Sequence, residues 1–464
     1  MKNRSANPGQ LLIHVDERRR DLVVLLALRE LFEEKGIGVT LSTRRTTSAL
    51  LKEVPFDAVI VPSMDHIPRD RFREICGRSK VYMLPTEGAI FGEKPLLLKY
   101  GGGYFPEDWN LKIPGAHAFF LWGNSSRRTL EATGRFRPGQ LRVVGGPRMD
   151  YFLVKPSAEE KARFEPGSLG MISNFILTNS YNCFSIFETA FRGRNRHHFY
   201  QAPGRDLEDR FWQEIAWVRV WIELFERFKR RGDRARLRIH PREDFAAYRY
   251  LREKYGDMLR FDGQEEPFEI WLESLGLFLG CNSTTFFEVV AANKPSLNLE
   301  GLMGPRLAEH VDGFEQNHYP IMDQIESPTT PDEFFARMDS LRHRPDEEGP
   351  RYSEAARAIL QDVSYFPRPV SSLAAVVQQV DGEMEPRGTQ VQWKRVQARV
   401  TQWLTFSIRR DRITSCWFPL DAAASRKKLS LFIERYLRAA RSFPAASSAA
   451  ETSRPRMPEE EAVR

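Results

Sequence analysis

The sequence has few cysteines and no long apolar run. Its 464 residues include only four cysteines, which are widely separated and show no paired spacing. This distribution indicates a reducing compartment and predicts neither a disulfide framework nor a zinc site. No segment approaches the roughly 18 uncharged apolar residues that span a bilayer, and the first residues lack the apolar core of a signal peptide. We therefore expect a cytoplasmic protein.

The sequence also lacks the short motifs of several large enzyme classes. No G-x-G-x-x-G follows a predicted strand, and G-x-x-x-x-G-K-[ST], H-E-x-x-H and G-x-S-x-G are absent. These absences weigh against nicotinamide-dependent dehydrogenases, P-loop ATPases, zinc peptidases and serine hydrolases. We predict no metal site and no bound cofactor.

Positive charge is concentrated near the C-terminus. The net charge is +7, but residues 390–442 carry twelve Lys and Arg against three Asp and Glu, a local charge of +9. The rest of the chain therefore sums to about −2. A body with this balance is not a general nucleic-acid binder, and no nucleic-acid partner is expected.

Short apolar runs alternate with helical patterns along most of the chain. This alternation predicts parallel sheets covered by helices on both faces, arranged as two facing Rossmann-like α/β domains. The predicted strands of the first series are "LLIHV", "GVTLST", "FDAVIVPS", "KVYMLPT", "AFFLWG" and "LRVVGGP". Those of the second series are "FILTN", "ARLRIHP", "GLFLGCNS" and "PSLNLEG".

Four segments are predicted from this pattern. Residues 1–151 form an N-terminal Rossmann-like domain, and residues 152–330 form a second one. Residues 331–442 form a helical extension that is basic from about residue 390, and residues 443–464 form a disordered tail.

Polar residues follow four predicted strands, where a parallel sheet places its ligands. The stretch "LPTEGAIFGEKP" brings Glu87 and Gly88, and "LRIHPRED" brings His240 and Pro241. The others are "LTNSYN", with Asn179 and Ser180, and "GCNSTTFFE", with Asn282, Ser283, Thr284, Thr285 and Glu288. We expect all four on one rim.

Each candidate also has a purely structural interpretation. A hydroxyl-rich turn before a helix suits an anion, but Thr285 and Glu288 also fit a capping box. His240 could be a histidine at the end of a strand that is hydrogen-bonded only to the backbone. Glu87 could be a carboxylate in a turn without a catalytic role. His14 and Asp16, at the end of the first strand, suit either an acceptor site or a solvated turn.

The order of seven stretches over about residues 11–300 carries a family resemblance. They are "HVDERRRDLVVLLALRELFEEKG", "PTEGAIF", "FFLWGNS", "VVGGPRMDYF", "ILTNSYN", "IHP" and "CNSTTFFEVVAANKP". This set resembles the bacterial surface-carbohydrate (capsule-type) biosynthesis proteins, glycosyltransferases of the two-Rossmann GT-B type. A wider similarity extends to bacterial sialyltransferases and Kdo transferases, which use CMP-activated sugars.

The resemblance implies a role for each matching residue. Glu87 would take a proton from the acceptor hydroxyl, with Gly88, His14 and Asp16 on the acceptor side. His240 would contact the donor phosphate, and Glu288 would accept hydrogen bonds from ribose. The remaining donor-side candidates are Pro241, Asn179, Ser180 and Asn282 to Thr285. The family's usual acidic pair is Thr86-Glu87 here, and its arginine before His-Pro is displaced to Arg238 or lost.

The basic segment 426–441 has an apolar helical face and predicts one of two arrangements. A basic amphipathic helix lies readily on an anionic membrane, which would place the protein on the inner face of the cytoplasmic membrane. The alternative is packing of the apolar face against the body.

The function expected from these features is transfer of a sugar from a nucleotide-activated donor, CMP-linked by preference, to a surface polysaccharide or lipid-linked acceptor. Two alternatives stay open. One is a CDP-glycerol-type polymer transferase or a sugar-nucleotide epimerase of the same fold, and the other is a non-catalytic scaffold for polysaccharide assembly.

Overall fold

The computed structural model describes most of the predicted α/β body and the C-terminal helices. The described residues are 9–16, 18–63, 67, 72–85, 87–90, 92–93, 96–97, 100, 116–175, 178–179, 204–240, 243–262, 266–281, 283–303, 319–342, 351–384 and 422–445.

The first sheet has six parallel strands in the order β2-β1-β3-β4-β5-β6. The strands are β1 (Gln10–Val15), β2 (Gly38–Thr43), β3 (Ala58–Val61), β4 (Lys80–Met83), β5 (Ala116–Leu121) and β6 (Leu141–Val143). The helices beside it are α1 (Arg18–Glu34), α2 (Arg44–Glu53), α3 (Phe72–Arg78) and α4 (Asn124–Ala132), and a 3₁₀ helix spans Pro147–Leu153. The strands are continuous apolar runs because helices cover both faces of the sheet.

The second sheet has five parallel strands in the order β11-β10-β7-β8-β9. They are β7 (Leu169–Ile172), β8 (Ala235–Arg238), β9 (Leu259–Asp262), β10 (Leu277–Gly280) and β11 (Ser296–Asn298). Its helices are α5 (Ala158–Lys161), α6 (Gly204–Arg231), α7 (Arg249–Tyr255), α8 (Phe268–Glu273), α9 (Thr285–Ala291), α10 (Glu300–Met303) and α11 (Pro331–Arg342). Short 3₁₀ helices span Phe245–Tyr248, Gly256–Met258 and Pro320–Gln324. The expected α/β class with two parallel sheets is confirmed.

One predicted strand is misplaced. The strand that opens the second sheet is Leu169–Ile172, whereas the sequence pattern predicted "FILTN", residues 175–179. Gly170 lets β7 lie against the turn that follows α8, because a Cβ there would come within 2.1 Å of Leu275. Phe175 leaves the sheet instead and packs edge-on against Trp221, with ring centroids 4.9 Å apart. The apolar residues at 175–177 were therefore mistaken for a strand, because Phe175 is apolar for its contact with Trp221 and not for a place in the sheet.

The C-terminal part is helical, as predicted, and its helices complete the body. They are α12 (Glu354–Ser364), α13 (Ser372–Glu383) and α14 (Ala422–Ser442). Apolar residues of α13 and α14, such as Val376 and Ile433, share one buried cluster with β1 and α1. The predicted boundaries at 151/152 and 330/331 stay predictions. Residues 390–421 and most of the predicted tail lie outside the described residues.

The apolar helical face expected for residues 426–441 exists and is packed on the body, and contact of this segment with a membrane stays a prediction. The apolar face of α14 is buried against the body, with Phe432, Ile433, Tyr436 and Leu437 at most 8% exposed. An apolar face that is packed on protein is not available to lipid. Of the described helices, none is long and apolar enough to cross a membrane.

The arginines of α14 face carboxylates of the body rather than a free basic surface. Arg438 lies 3.1 Å from Glu160, and Arg441 lies 2.6 Å from Glu34. The same segment also pairs Arg426 with Glu30. The packing alternative is therefore the arrangement found.

A buried ion pair joins the first sheet to the C-terminal helices. Asp150, just after β6, pairs with Arg368, and both side chains are fully buried. The Asp150 carboxylate also accepts hydrogen bonds from the Ser371 hydroxyl (2.6 Å) and from the backbone N–H groups of Ser372 and Leu373, both 2.9 Å, at the start of α13. One carboxylate thus neutralises an arginine and caps a helix.

Replacing Asp150 by Ala should destabilise the protein strongly. The change leaves Arg368 charged, buried and unpaired, and such losses typically remove about 3–5 kcal/mol from the free energy of unfolding. Denaturant unfolding measures it. Asp362→Ala, which breaks the exposed Arg128–Asp362 pair, is the matched control and should change little. Equal effects of the two changes would contradict this account.

Candidate functional site

The rim of the first sheet carries an exposed carboxylate held by an arginine. Glu87 follows β4 by four residues, and its side chain is 49% exposed. Arg20, from the start of α1, places its Nη1 atom 3.0 Å from Glu87 Oε2. The pair orients Glu87 at the carboxyl end of the sheet, while Thr86 lies outside the described residues.

Three carboxylates lie near the Arg20 guanidinium. Burial opposes its charge, but Asp21, Glu87 and Asp16 together raise the pKa of Arg20 well above its ordinary value. Asp21 lies 2.6 Å from the guanidinium, and Asp16 lies 3.8 Å away. Asp16 therefore lies at the rim, just after β1, and its contact with an acceptor stays a prediction.

Two other acceptor-side candidates have packing roles. His14 is only 2% exposed, and its Nδ1 atom lies 2.6 Å from the Thr47 hydroxyl. His14 therefore lies in the interior, and its expected contact with an acceptor stays a prediction. Gly88 is buried, and a Cβ there would come within 2.1 Å of the Trp122 ring. Its glycine is required by close packing.

The second rim places His240 at the carboxyl end of β8. Its side chain is partly exposed, and its backbone N–H donates to Ser173 Oγ, 2.7 Å away. Asn179 lies beside the same turn, because its side-chain amide donates to the Asp244 carbonyl at 3.1 Å. Pro241 and Ser180 lie outside the described residues.

The hydroxyl-rich turn after β10 is ordered by Ser283. Its Oγ accepts from the backbone N–H of Thr285 at 3.2 Å and donates to Thr285 Oγ1 at 3.0 Å. Thr284 is the residue before α9 and makes no capping bond with its side chain. The capping box considered for Thr285 and Glu288 is not formed, since Glu288 turns to another partner. Asn282 lies outside the described residues.

His240 and Ser283 share one edge of the second sheet. The strand β7 lies between β8 and β10, so the two residues follow strands about 10 Å apart. A small aromatic pocket beside Ser283 is lined by Ile172, Asn174, Phe175, Trp217, Trp221, Cys281 and Ser283. The space within it is about that of one water molecule, so in this conformation it is too small for a nucleotide base.

Arg238, at the end of β8, does not reach the rim. It is 6% exposed, and its guanidinium lies over the rings of Phe268 and Trp271, 5.9 and 5.7 Å from their centroids. Burial lowers the pKa of Arg238 to about 10, against the opposing effect of nearby carboxylates. If Arg238 stands in for the arginine that precedes His-Pro in the resembled family, it is buried in this chain.

A buried arginine joins the two rims. Arg148, in the 3₁₀ helix after β6, lies 2.6 Å from Glu269 of α8 and 2.8 Å from Glu288 of α9. Burial opposes the charge of Arg148, but the two carboxylates raise its pKa. The first sheet is therefore tied to two helices of the second through one guanidinium.

The pKa of Glu288 is influenced by charged residues of both sheets. Burial raises its pKa to about 7, Arg148 opposes the rise, and the charges of Glu269 and Glu87 add to it. Glu87 and Glu288 therefore lie close enough to interact electrostatically, although they belong to different sheets. The predicted ribose contact of Glu288 stays a prediction, and the side chain that would make it is 5% exposed and paired with Arg148.

Several residues of the site were not assigned from the sequence. Arg20 and Arg148 stood inside recognised stretches, "DERRRD" and "GGPRMD", without a role. Glu243 stood inside "HPRED". For Arg148 the available signal was a charged residue between Pro147 and Met149, but nothing local to it named Glu269 as its partner. Within the described part of the chain, no group of three His, Cys, Asp or Glu is placed to hold a metal ion.

Solved structures of low sequence identity have a similar arrangement. The UDP-GlcNAc 2-epimerase of Neisseria meningitidis bound to UDP-GlcNAc is 11% identical, with 80% of this chain and 100% of that chain covered and a TM-score of 0.44. A variant of the wall teichoic acid polymerase TagF is 8% identical, with coverages of 81% and 89% and a TM-score of 0.49. The lipopolysaccharide outer core galactosyltransferase WaaB is 10% identical, with coverages of 81% and 99% and a TM-score of 0.34.

No protein-family model matches the chain, and no curated protein matches it. The resemblance to capsule-type biosynthesis proteins therefore stays a prediction. At the identities and TM-scores of the solved structures, the functional argument depends on this chain's own residues.

Replacing Glu288 by Gln should flatten the pH dependence of stability. The pKa of Glu288 is raised from 4.5 to about 7 in the folded protein, so the folded form binds its proton more tightly. Its contribution to stability is complete below about pH 4.5 and is lost as the pH rises through about 7. The free energy of unfolding of the wild type should therefore fall, relative to that of the variant, between about pH 5 and pH 8.

Denaturant unfolding at several pH values checks this expectation. Glu93→Gln, at an exposed position, is the control and should run parallel to the wild type. A constant difference between Glu288→Gln and the wild type at all pH values would show that Glu288 does not titrate in this range.

Proposed function

We propose that the chain is a GT-B-type glycosyltransferase that transfers a sugar from a nucleotide-activated donor to a surface polysaccharide or lipid-linked acceptor. One observation supports it most directly. The segment that carries Glu87, an exposed carboxylate on the first rim, packs against the helix that follows the Ser283–Thr285 segment of the second rim, because Ala89 shares one buried apolar cluster with Phe286 and Phe287. An acceptor base and a donor seat can therefore act on one bound pair of substrates.

In the proposed reaction, Glu87 accepts the proton of the acceptor hydroxyl as its oxygen attacks the anomeric carbon. The bond from that carbon to the phosphate oxygen breaks, and the nucleotide leaves with the electron pair. His240 and the donors of the Ser283–Thr285 turn stabilise the charge on the departing phosphate.

The donor proposed is CMP-linked, because a Glu-Gly, a His-Pro and a Ser/Thr set occur together in the families that the sequence resembles. The alternatives are a CDP-glycerol-type polymer transferase, a sugar-nucleotide epimerase and a scaffold without catalysis. An epimerase needs no acceptor, and a scaffold needs no nucleotide. Nucleotide binding and product analysis therefore separate them.

The wild type should bind a nucleotide, and His240→Ala should bind it more weakly. Loss of one hydrogen bond to a charged phosphate weakens binding about 10- to 100-fold. Isothermal titration with CMP, CDP and UDP measures both proteins. Arg249→Ala, at an exposed position on α7, is the control and should bind as the wild type does. If no nucleotide binds the wild type, the scaffold interpretation is favoured.

Glu87→Gln should abolish sugar transfer and leave nucleotide binding unchanged. The amide keeps the size of the side chain but cannot accept a proton at neutral pH. The loss of rate should be about 10²- to 10⁴-fold, measured as product formed at saturating donor. Glu93→Gln again serves as the control for loss of a nearby exposed carboxylate. Full activity of Glu87→Gln would remove this residue from the mechanism.

A further inference from the structure

A second buried carboxylate lies directly behind the His240 turn. Glu243 is fully buried and follows His240 by three residues. One of its oxygens accepts from the backbone N–H of Phe175 at 2.8 Å, and the other accepts from the Tyr248 hydroxyl. The Ser173 side chain is also hydrogen-bonded to it. A buried carboxylate with several donors is held firmly in place.

Ser173 connects this carboxylate to His240. Its Oγ accepts from the backbone N–H of His240 at 2.7 Å, and its hydroxyl faces Glu243. Ser173 is the first residue after β7, and His240 is the second after β8. The turn that carries His240 is therefore fixed through Ser173 to Glu243.

The same carboxylate fixes one wall of the aromatic pocket. Phe175 lines the pocket, and its backbone N–H donates to Glu243. Asn174, between Ser173 and Phe175, is also part of the lining. Glu243 thus bonds to both neighbours of Asn174, and so controls the loop that faces the pocket as well as the His240 turn.

Charged and titratable groups surround Glu243 on each side. Burial raises its pKa to about 7, the hydrogen bonds from Tyr248, Phe175 and Ser173 oppose the rise, and the charge of Glu214 on α6 adds to it. Glu214 is itself buried and accepts from Thr178. A protonated carboxyl accepts fewer hydrogen bonds than a carboxylate, so protonation weakens the contacts that order the two loops.

We propose that Glu243 is the positioning residue of the donor site, which holds the His240 turn and the Phe175 loop together when ionised and loosens them when protonated. The proposal rests on the proposed function, in which His240 contacts the leaving phosphate. It adds a proton-linked control of donor binding by a residue that touches no substrate.

Nucleotide binding at several pH values tests the proposal. The wild-type Kd, measured with CMP, CDP and UDP, should rise as the pH falls below about 7, by up to about tenfold per pH unit. Glu243→Gln, which resembles the protonated form, should bind about tenfold more weakly than the wild type at pH 8 and match it near pH 6. His240 and the nucleotide phosphate titrate in both proteins, so the difference between the two curves isolates Glu243.

Two further variants guard against a general effect on folding. Ser173→Ala removes the connection to His240 and leaves Glu243 in place, so it should also weaken nucleotide binding. This variant replaces Glu243→Gln as the test if Glu243→Gln does not fold. Glu160→Gln alters another buried carboxyl, beside Ser157 and α14, and should keep wild-type binding. Wild-type affinity and pH profile in a folded Glu243→Gln, or in Ser173→Ala, would overturn the proposal.

Hydrogen exchange separates this proposal from the proposed function. At pH 8, without nucleotide, Glu243→Gln should exchange faster than the wild type in peptides covering residues 169–175 and 235–240, while Glu160→Gln should not. If no nucleotide binds the wild type but exchange increases in this way, the positioning role stands and the glycosyltransferase proposal fails. Unchanged exchange in both peptides would overturn the positioning role.

Discussion

The guanidinium of Arg148 is the interaction on which the relation between the two sheets depends. It leaves the first sheet just after β6 and meets Glu269 and Glu288 in the second, with all three side chains buried. Removal of one partner from a buried ion pair leaves the other as an uncompensated buried charge, which is strongly destabilising. The three groups therefore depend on one another. Through this contact the 3₁₀ helix after β6 is tied to α8 and to α9, the helix that begins at Thr285.

The second sheet buries two ionisable groups just beyond the carboxyl ends of its strands. Burial raises the pKa of Glu243 and of Glu288 to about 7, against hydrogen bonds and a guanidinium that oppose the rise. A fold that needed only stability would fill such positions with apolar side chains. Asp150 pairs with Arg368 and caps α13, whereas Glu243 and Glu288 lie directly behind the rim of the second sheet. Their placement is what connects these carboxyls to the candidate site.

Much of the fold was predictable because its signals are local. Nine of the eleven strands coincide with predicted apolar runs that end in turn residues, and the helices between them have an apolar face. Of the other two, β7 was predicted several residues too late, and β9, with the sequence LRFD, was not predicted because half of its residues are charged. Phe175 misled the strand assignment because an aromatic residue can pack beyond a sheet as well as within it. His14 was placed on the rim because its position beside Asp16 is visible in the sequence, whereas its contact with Thr47 is not. The amphipathic pattern of α14 showed an apolar face without showing what covers it.

The single acid at position 87 has a physical context that the sequence did not reveal. Where two adjacent acids share a site, one carboxylate raises the proton affinity of the other. Here the neighbour of Glu87 is the Arg20 guanidinium, 3.0 Å away, and Glu288 is the carboxylate that feels its charge from the opposite rim. In the proposed reaction, an acceptor hydroxyl that enters between the rims would compete with Arg20 for Glu87. Proton transfer would then be coupled to opening of that ion pair, so substrate entry and activation of the base become one event.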